Sequence, residues 1–207
     1  MKNDLFSIGP FTVHGYGLMI AIGVLSAYYM VEYRAKKKRM DWEKVFPLTV
    51  WSVLGGFLGS KILYLLTRLP DILANPALLG SSIKDGFVVY GGIIGGILTA
   101  WIYCKCTKWN FWKIFDIAMP AVAMAQGFGR IGCLLAGCCY GIELDPANPI
   151  GIVFHNSAYA PNDVALLPTQ IISSVLDFAN CFVLLALSKK LKTDGQVASC
   201  YLIFYSI

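Results

Sequence analysis

The sequence predicts an all-α protein, a polytopic bundle of transmembrane helices that forms a single domain over residues 1–207. Hydrophobic residues make up 57% of the chain and charged residues only 14%, whereas a typical soluble domain has about 25% charged residues. The apolar residues are gathered into runs of roughly 20, the length that a helix needs to cross a bilayer. The basic residues lie mainly in the short segments between these runs.

Five apolar runs are long enough to be full spans, and a sixth is truncated. The full spans are predicted at His14–Val31, Phe46–Leu66, Phe87–Tyr103, Ile114–Leu135 and Pro168–Ser188. The sixth, Gly195–Ile207, has 13 residues and is too short to cross. We expect either that the protein ends there or that its sequence continues. The first run lacks the features of a cleavable signal peptide, so we expect a retained span.

The charges between the spans predict the orientation of the chain. Twelve of the 17 Lys and Arg residues lie on one side of the membrane, in segments 34–45, 104–113 and 189–194. Three lie on the other side, namely Lys2, Arg68 and Lys84. Because cytoplasmic loops are enriched in Lys and Arg, the N-terminus and loop 136–167 are predicted to lie outside. This pattern explains the net charge of +5 without a nucleic-acid partner, and none is expected.

Glycines spaced four residues apart predict which spans are neighbours. Gly55 and Gly59 lie in the second span, and Gly91 and Gly95 lie in the third. This spacing lets two helix backbones approach closely in lipid. Spans two and three are therefore expected to pack against each other.

The fourth span contains an arginine among glycines, in the sequence QGFGRIGC at 126–133. A charge inside the membrane costs at least about 2.5–3.5 kcal/mol, so it generally faces a cavity and marks function. The planar guanidinium of Arg130 can hold two oxygens of a phospholipid phosphate. The alternative is an anchor that extends to the nearby outer interface. The glycines predict close approach of the backbone to a ligand, or a broken helix beside a cavity.

Seven cysteines are present, mostly inside apolar runs. An odd number in such positions argues against a disulfide framework. Cys133, Cys138 and Cys139 follow Arg130 closely, and we interpret them as packing beside a lipid cavity. A zinc site would require four ligands with paired C-x2-C spacing, and a redox or acyl-carrier role is the other alternative. We therefore expect no metal.

Four motifs follow one another along the chain, namely HGYGLM at 14–19, GFVVYGGIIG at 86–95, the segment from 126 to 141, and PTQ at 168–170. In this order they resemble motifs of the prolipoprotein diacylglyceryl transferase family. The segment from 126 to 141 resembles the signature of that family. The first two motifs resemble its first-span and third-span motifs, and PTQ resembles the start of another. The resemblance covers most of the chain.

The resemblance implies a transferase of the bacterial cytoplasmic membrane. Such an enzyme moves the diacylglyceryl group of phosphatidylglycerol to the lipobox cysteine of a preprolipoprotein, whose signal peptide is its second partner. A thioether forms, glycerol phosphate leaves, and no cofactor is implied. Two alternatives remain at this stage. One is a phospholipid-binding paralogue with another acceptor or little activity, and the other is a small transporter, although no internal repeat is found.

The resemblance also assigns catalytic residues. Arg130 occupies the matching arginine position and is expected to stabilise negative charge on the phosphate. His14 is expected to act as a base near neutral pH, or otherwise as an interfacial hydrogen-bonding residue. Tyr16 is expected to bind the head group or thiol, or to be an interfacial aromatic residue. Tyr90 stands where many members have histidine and is expected to donate to phosphate.

Four further residues are expected to bind substrate with Arg130, namely Gly129, Cys133, Gly141 and Gln170. The sequence differs from the family at some of these motifs. Cys133 replaces an asparagine, and residues 171–173 lack the tyrosine and glutamate that follow the glutamine in the family. A second arginine of the family is expected beyond Ile207. Asp177, mid-span, is a candidate to supply the missing carboxylate, and His155 is expected to be an ordinary exposed residue.

Overall fold

Long helices dominate the computed structural model, which describes residues 4–8, 11–75, 80, 86–157, 159–191 and 193–206. The helices are α1 (Gly15–Lys37), α2 (Val45–Thr67), α3 (Leu69–Ala74), α4 (Val89–Cys106), α5 (Phe111–Ala136), α6 (Thr169–Lys190) and α7 (Gln196–Ser206). A 3-10 turn, Trp42–Lys44, precedes α2. This architecture confirms the predicted all-α class.

Two short antiparallel ribbons accompany the helices in the described residues. The strands are β1 (Asp4–Ile8) with β2 (Phe11–His14), and β3 (Ile152–Val153) with β4 (Ala165–Leu166). In the second ribbon Ile152 pairs with Leu166 and Val153 with Ala165, inside the loop that follows α5. The ribbons were not predicted, because strands this short give no clear alternation of apolar and polar residues.

Within the described residues, five helices are long and apolar enough to cross a membrane, judged by length and composition. They are Gly15–Lys37, Trp42–Thr67, Val89–Cys106, Phe111–Ala136 and Thr169–Lys190. Their positions confirm the five predicted full spans. The largest difference is at the end of α1, which we predicted to stop at Val31. Arg and Lys favour helices, so α1 continues past the apolar run, and buried Arg34 donates to the carbonyl of Asp116 at 3.4 Å.

The truncated sixth span is the short apolar helix α7, whose first turn is held by a buried acid on α5. The Oδ2 atom of Asp116 accepts the N–H of Gly195 at 2.8 Å, and Oδ1 accepts the N–H of Ala198 at 2.9 Å. The first N–H groups of a helix have no partner within it, and the positive end of the helix dipole favours a carboxylate there. Asp116 therefore fixes where α7 begins.

The chain divides into two compact units. The first unit is Met1–Arg34 with Phe115–Ile207, and the second is Ala35–Ile114. The core of the first unit is formed by α5, α6 and α7, through Met119, Ala123, Cys181, Leu184, Val197, Ala198 and Tyr201. That the whole chain is a single domain stays a prediction.

The second unit is organised by the contact between α2 and α4. A Cβ atom added at Gly59 would collide with the carbonyl oxygen of Gly91 and lie 2.9 Å from the Cα of Gly95. One added at Gly55 would collide with the side chain of Thr99. Only glycine permits this approach of two backbones, so the prediction that spans two and three are neighbours is confirmed.

Candidate active site

Arg130 lies in the second half of α5, which is helical from Phe111 to Ala136. The glycine-rich run therefore does not interrupt the helix, and the broken-helix alternative was wrong. The helix survives because each glycine costs only about 1 kcal/mol and neighbouring side chains pack onto the bare backbone. Arg130 is partly exposed. In the described part of the chain its guanidinium has no hydrogen-bond partner.

The glycines around Arg130 differ in what they face. A Cβ atom at Gly127 would lie 2.9 Å from the ring of Phe178, and one at Gly132 would lie 3.2 Å from the ring of Tyr16. These two glycines are thus explained by packing between helices. A Cβ atom at Gly129 would meet nothing within 4 Å. Open space therefore adjoins the helix directly before Arg130, where a substrate was predicted to approach.

Helix α6 presents a row of buried residues that changes from polar to apolar along its length. The row consists of Gln170, Ser174, Asp177, Cys181 and Leu184. The hydroxyl of Ser174 donates to the carbonyl of Gly127 at 3.0 Å, which fixes α6 against α5 one turn before Arg130. Asp177 is only 7% exposed and lies within electrostatic range of Arg130. The site thus includes a carboxyl group near the guanidinium, without a direct ion pair among the described residues.

A second polar contact lies close to this pair of charges. The hydroxyl of Tyr201 on α7 donates to Oε1 of Gln126 at 2.7 Å, and Tyr201 is also in electrostatic contact with Asp177. The contact was not predicted. Its signal in the sequence was an uncharged polar residue, Gln126, inside an apolar run, because such a group requires a partner in lipid.

The chain turns sharply at the end of α5. Gly137 has φ of 73°, and Cys139 has φ of 57°, a left-handed conformation that residues other than glycine rarely adopt. The N–H of Cys138 donates back to the carbonyl of Cys133 at 3.0 Å. The sulfur atoms of these three cysteines lie within 4.8 Å of one another. Burial raises the pKa of the Cys138 thiol, so this thiol is protonated near neutral pH.

The start of α6 holds this turn in place. The hydroxyl of Thr169 donates to the carbonyl of Cys139, and Nε2 of Gln170 donates to the carbonyl of Cys138, both at 2.8 Å. The N–H of Gly141 donates to the carbonyl of Leu167 at 3.0 Å, and a Cβ atom at Gly141 would crowd the same residue. Gln170 and Gly141 therefore shape the turn. The Oε1 atom of Gln170 is buried and has no hydrogen-bond partner among the described residues.

The structure brings several predicted residues together in the first unit. Tyr16 at the start of α1 packs against Gly132 and is in electrostatic contact with the thiols of Cys133, Cys138 and Cys139. His14 is exposed and immediately precedes α1. Tyr16, Gln170 and Gly141 thus lie around the end of α5 that follows Arg130, and His14 lies two residues before Tyr16 in the chain.

Two other predicted residues lie elsewhere. Tyr90 is 74% exposed in the first turn of α4. It belongs to the second unit. His155 lies in the loop after α5, and its Nδ1 atom is 2.6 Å from Oδ1 of Asp163 in an exposed pair. The expectation that His155 is exposed is confirmed.

Comparisons with known proteins agree over the whole chain. Residues 3–207 match the sequence model of the prolipoprotein diacylglyceryl transferase family. A protein of Clostridium tetani named phosphatidylglycerol–prolipoprotein diacylglyceryl transferase is 44% identical, with 100% of this chain and 82% of the relative aligned. A protein of Clostridium perfringens, named phosphatidylglycerol–prolipoprotein diacylglyceryl transferase 2, is 43% identical, with 100% of this chain and 80% of the relative aligned.

A more distant relative, from Staphylococcus carnosus, is 30% identical over 98% of this chain and 74% of its own length. It bears the same name as the Clostridium tetani protein. The family match extends across all five apolar helices, so the chain is a multi-pass membrane protein. The chain belongs to the prolipoprotein diacylglyceryl transferase family.

Proposed function

We propose that this chain transfers the diacylglyceryl group of phosphatidylglycerol to the lipobox cysteine of preprolipoproteins, a step in lipoprotein maturation. The names of the relatives, which state this transfer, support the reaction. The observation that carries the proposal within this chain is Arg130. It is a partly exposed guanidinium on a membrane-spanning helix, beside open space at Gly129.

The reaction exchanges one bond to a glycerol carbon for another. The sulfur of the lipobox cysteine attacks the carbon that carries the phosphate ester, so a C–S bond forms and the C–O bond breaks. The phosphate oxygen keeps the electron pair and leaves as glycerol phosphate, while the thiol proton passes to a base. Because an unperturbed cysteine has a pKa of about 8.5, only modest help is needed to form the thiolate.

In this proposal, Arg130 acts where negative charge grows in the transition state. Its planar fork binds two phosphate oxygens, and this contact strengthens as the C–O bond breaks. Asp177 on α6 lies within electrostatic range of the guanidinium and attracts it. Tyr16 donates a hydrogen bond to the phosphate or head group. Tyr90 is kept as a donor to phosphate on the family resemblance alone. His14 accepts the thiol proton, because imidazole is a base near neutral pH.

The remaining predicted residues complete the proposed binding surface. Gly129 leaves room for the lipid beside Arg130, since no side chain fills that space. Cys133 lies one turn further along the same face of α5. Gly141 and Gln170 act through the turn that they hold, and the Oε1 atom of Gln170 accepts a hydrogen bond from the head group.

The proposed location is the bacterial cytoplasmic membrane, with the N-terminus and loop 136–167 outside. The supporting observation is the distribution of Lys and Arg, with twelve on the side of segments 34–45, 104–113 and 189–194 and three on the other. In this orientation the end of α5 that carries Arg130 meets the outer leaflet. Phosphatidylglycerol and the preprolipoprotein signal peptide both reach the site from the membrane.

The test is the effect of Arg130 variants on thioether formation from phosphatidylglycerol and a lipobox peptide in liposomes. A charge-assisted hydrogen bond is worth about 1.5–3 kcal/mol, and roughly 1.4 kcal/mol is a factor of ten in rate. We therefore expect Arg130→Lys to lose on the order of ten- to a hundredfold in activity, because lysine lacks the fork. Arg130→Gln is expected to lose more, because the charge is gone.

Arg68→Gln is the matched control, since Arg68 is an exposed arginine paired with Asp71 at 3.2 Å. It should retain the parent activity. An Arg130→Gln variant as active as the parent would reduce Arg130 to an interfacial anchor and remove the proposed catalytic centre. A parent that binds phosphatidylglycerol through Arg130 but forms no thioether would replace the transferase proposal with a phospholipid-binding paralogue.

A further inference from the structure

Three thiols of this chain lie close together, and the proposed reaction uses none of them as its nucleophile, because the nucleophile belongs to the substrate. The sulfur atoms of Cys133, Cys138 and Cys139 lie within 4.8 Å of one another. Cys133 and Cys138 are partly buried, and Cys139 is exposed. The cluster is therefore enclosed by protein on one side and exposed on the other.

The backbone that gathers these thiols is strained and held by specific contacts. The left-handed conformation of Cys139 costs about 1–2 kcal/mol for a residue with a side chain. The hydrogen bonds from Thr169 and Gln170 to the carbonyls of Cys139 and Cys138 hold the turn in this conformation. An unstrained, extended continuation of the chain would carry Cys139 away from α5. The proximity of the thiols is thus a built feature of the turn.

The separations suit a metal ion bound by sulfur. Zinc binds a thiolate at about 2.3 Å, so two sulfurs of a tetrahedral site are about 3.8 Å apart. Sulfurs already within 4.8 Å reach this spacing by small side-chain rotations. Three protein ligands leave a fourth position for water or another thiol.

We propose that Cys133, Cys138 and Cys139 form a three-thiolate binding site for a soft, thiophilic metal ion, with zinc as the ion that it takes. Each thiol releases its proton to solvent as the ion binds. Thiolate ligands select zinc and monovalent copper over the hard ions magnesium and calcium. This revises our expectation of no metal, which rested on the lack of four ligands with paired C-x2-C spacing and of a nearby histidine. The turn at Gly137 and Cys139 brings the three sulfur atoms close together, although the spacing of the cysteines in the sequence does not predict it.

Metal binding by the full-length chain tests the proposal. The protein is purified in detergent micelles, freed of metal and kept reduced with a reductant that contains no thiol. Cadmium is then titrated while the ultraviolet charge-transfer absorption of cadmium thiolates is followed, and zinc is added as a competitor. We expect saturation at about one cadmium per chain and displacement by zinc. Single substitutions Cys133→Ser, Cys138→Ser and Cys139→Ser should each weaken binding at least about tenfold, since each removes a ligand.

Cys106→Ser is the matched control, because Cys106 is an exposed cysteine at the end of α4 outside the cluster. It should bind cadmium as the parent does. Absence of saturable binding, or equal affinity in Cys133→Ser, would overturn the proposal. A second measurement uses only the parent protein, so it does not depend on the folding of any variant. Bound zinc should protect Cys133, Cys138 and Cys139, but not Cys106, from alkylation by N-ethylmaleimide. Equal alkylation of the three cluster cysteines with and without zinc would overturn the site. Neither readout requires transferase activity.

Discussion

Two pairs of neighbouring helices in this chain are joined by different kinds of contact. Helices α2 and α4 meet through bare backbone at Gly59 and Gly91. Helix α6 is joined by side-chain hydrogen bonds to α5, from Ser174 to the carbonyl of Gly127, and to the turn after α5, from Gln170 to the carbonyl of Cys138. In the most apolar part of the span formed by α5, 39% of the residues are buried within the protein. In the span that contains α2, only 6% are buried.

The difference separates a contact made by shape from one made by polar chemistry. Glycine packing requires only small residues, and it leaves the rest of each helix free to face lipid. Polar groups inside a membrane need partners, so the hydrogen bonds of α5 and α6 occur where protein surrounds them. The charges that our proposed reaction needs, Arg130 and Asp177, lie in the polar pair.

The largest expected effect of a single methyl group is on the shape-based pair. We expect Gly59→Ala to lower the free energy of unfolding by about 1–3 kcal/mol, because its Cβ atom has no space against the backbone of Gly91. Gly96→Ala is the control, since its Cβ atom would lie 3.5 Å from Ser52, an ordinary contact. It should leave stability unchanged or raise it by less than about 1 kcal/mol. Unfolding in dodecyl sulfate measures both, and equal losses would contradict close backbone packing.

The next effect concerns the polar pair and the orientation of Arg130. We expect Asp177→Asn to lower kcat by about tenfold, which corresponds to roughly 1.4 kcal/mol, because the guanidinium loses a nearby charge that attracts it. The KM for phosphatidylglycerol should not rise, since a negative charge near the phosphate has been removed. Asp177→Glu should restore part of kcat. Steady-state kinetics with a lipobox peptide measures these values.

A double-mutant cycle distinguishes this role from a general loss of structure. If Asp177 acts through Arg130, the substitution Asp177→Asn should cost little further activity in an Arg130→Gln background. An undiminished tenfold loss in that background would show that Asp177 acts independently of the arginine.

The smallest expected effect tests the hydrogen bond between α5 and α6. Ser174→Ala should lower the free energy of unfolding by about 0.6 kcal/mol, the average for hydrogen bonds between transmembrane helices, and by no more than about 1.7 kcal/mol. Ser173→Ala is the control on the adjacent position, where the described structure shows no hydrogen bond. A loss for Ser174→Ala no larger than that for the control would mean that packing alone joins these helices.

The parts of the fold that were predictable are those that follow from composition over many residues. Runs of about 20 apolar residues located all five spans, because hydrophobic length is a direct requirement of the bilayer. The glycine pairs in the second and third spans predicted that α2 and α4 are neighbours, because only small residues allow two helix backbones to approach so closely. Arg130 was recognisable because a charge in an apolar run has few structural explanations.

The parts that were not predictable depend on single backbone conformations or distant partners. Cys139 adopts a left-handed conformation that its residue type disfavours, so the thiol cluster could not be foreseen from spacing. Gln170 was predicted to contact substrate, yet its amide donates to the carbonyl of Cys138, a partner 32 residues away. The contact of Asp116 with α7 likewise joins residues that no local pattern relates.

The cap that Asp116 provides for α7 also constrains the order of events during biosynthesis. Asp116 precedes Gly195 by 79 residues, so at about 5–20 residues per second the ribosome adds Gly195 roughly 4–16 s after Asp116. Throughout that interval the carboxylate must remain hydrated or carry a proton, because its final partners do not yet exist. The nascent chain therefore inserts α5 while the Asp116 carboxylate still lacks its final hydrogen-bond donors. These donors become available only when α7 has been synthesised.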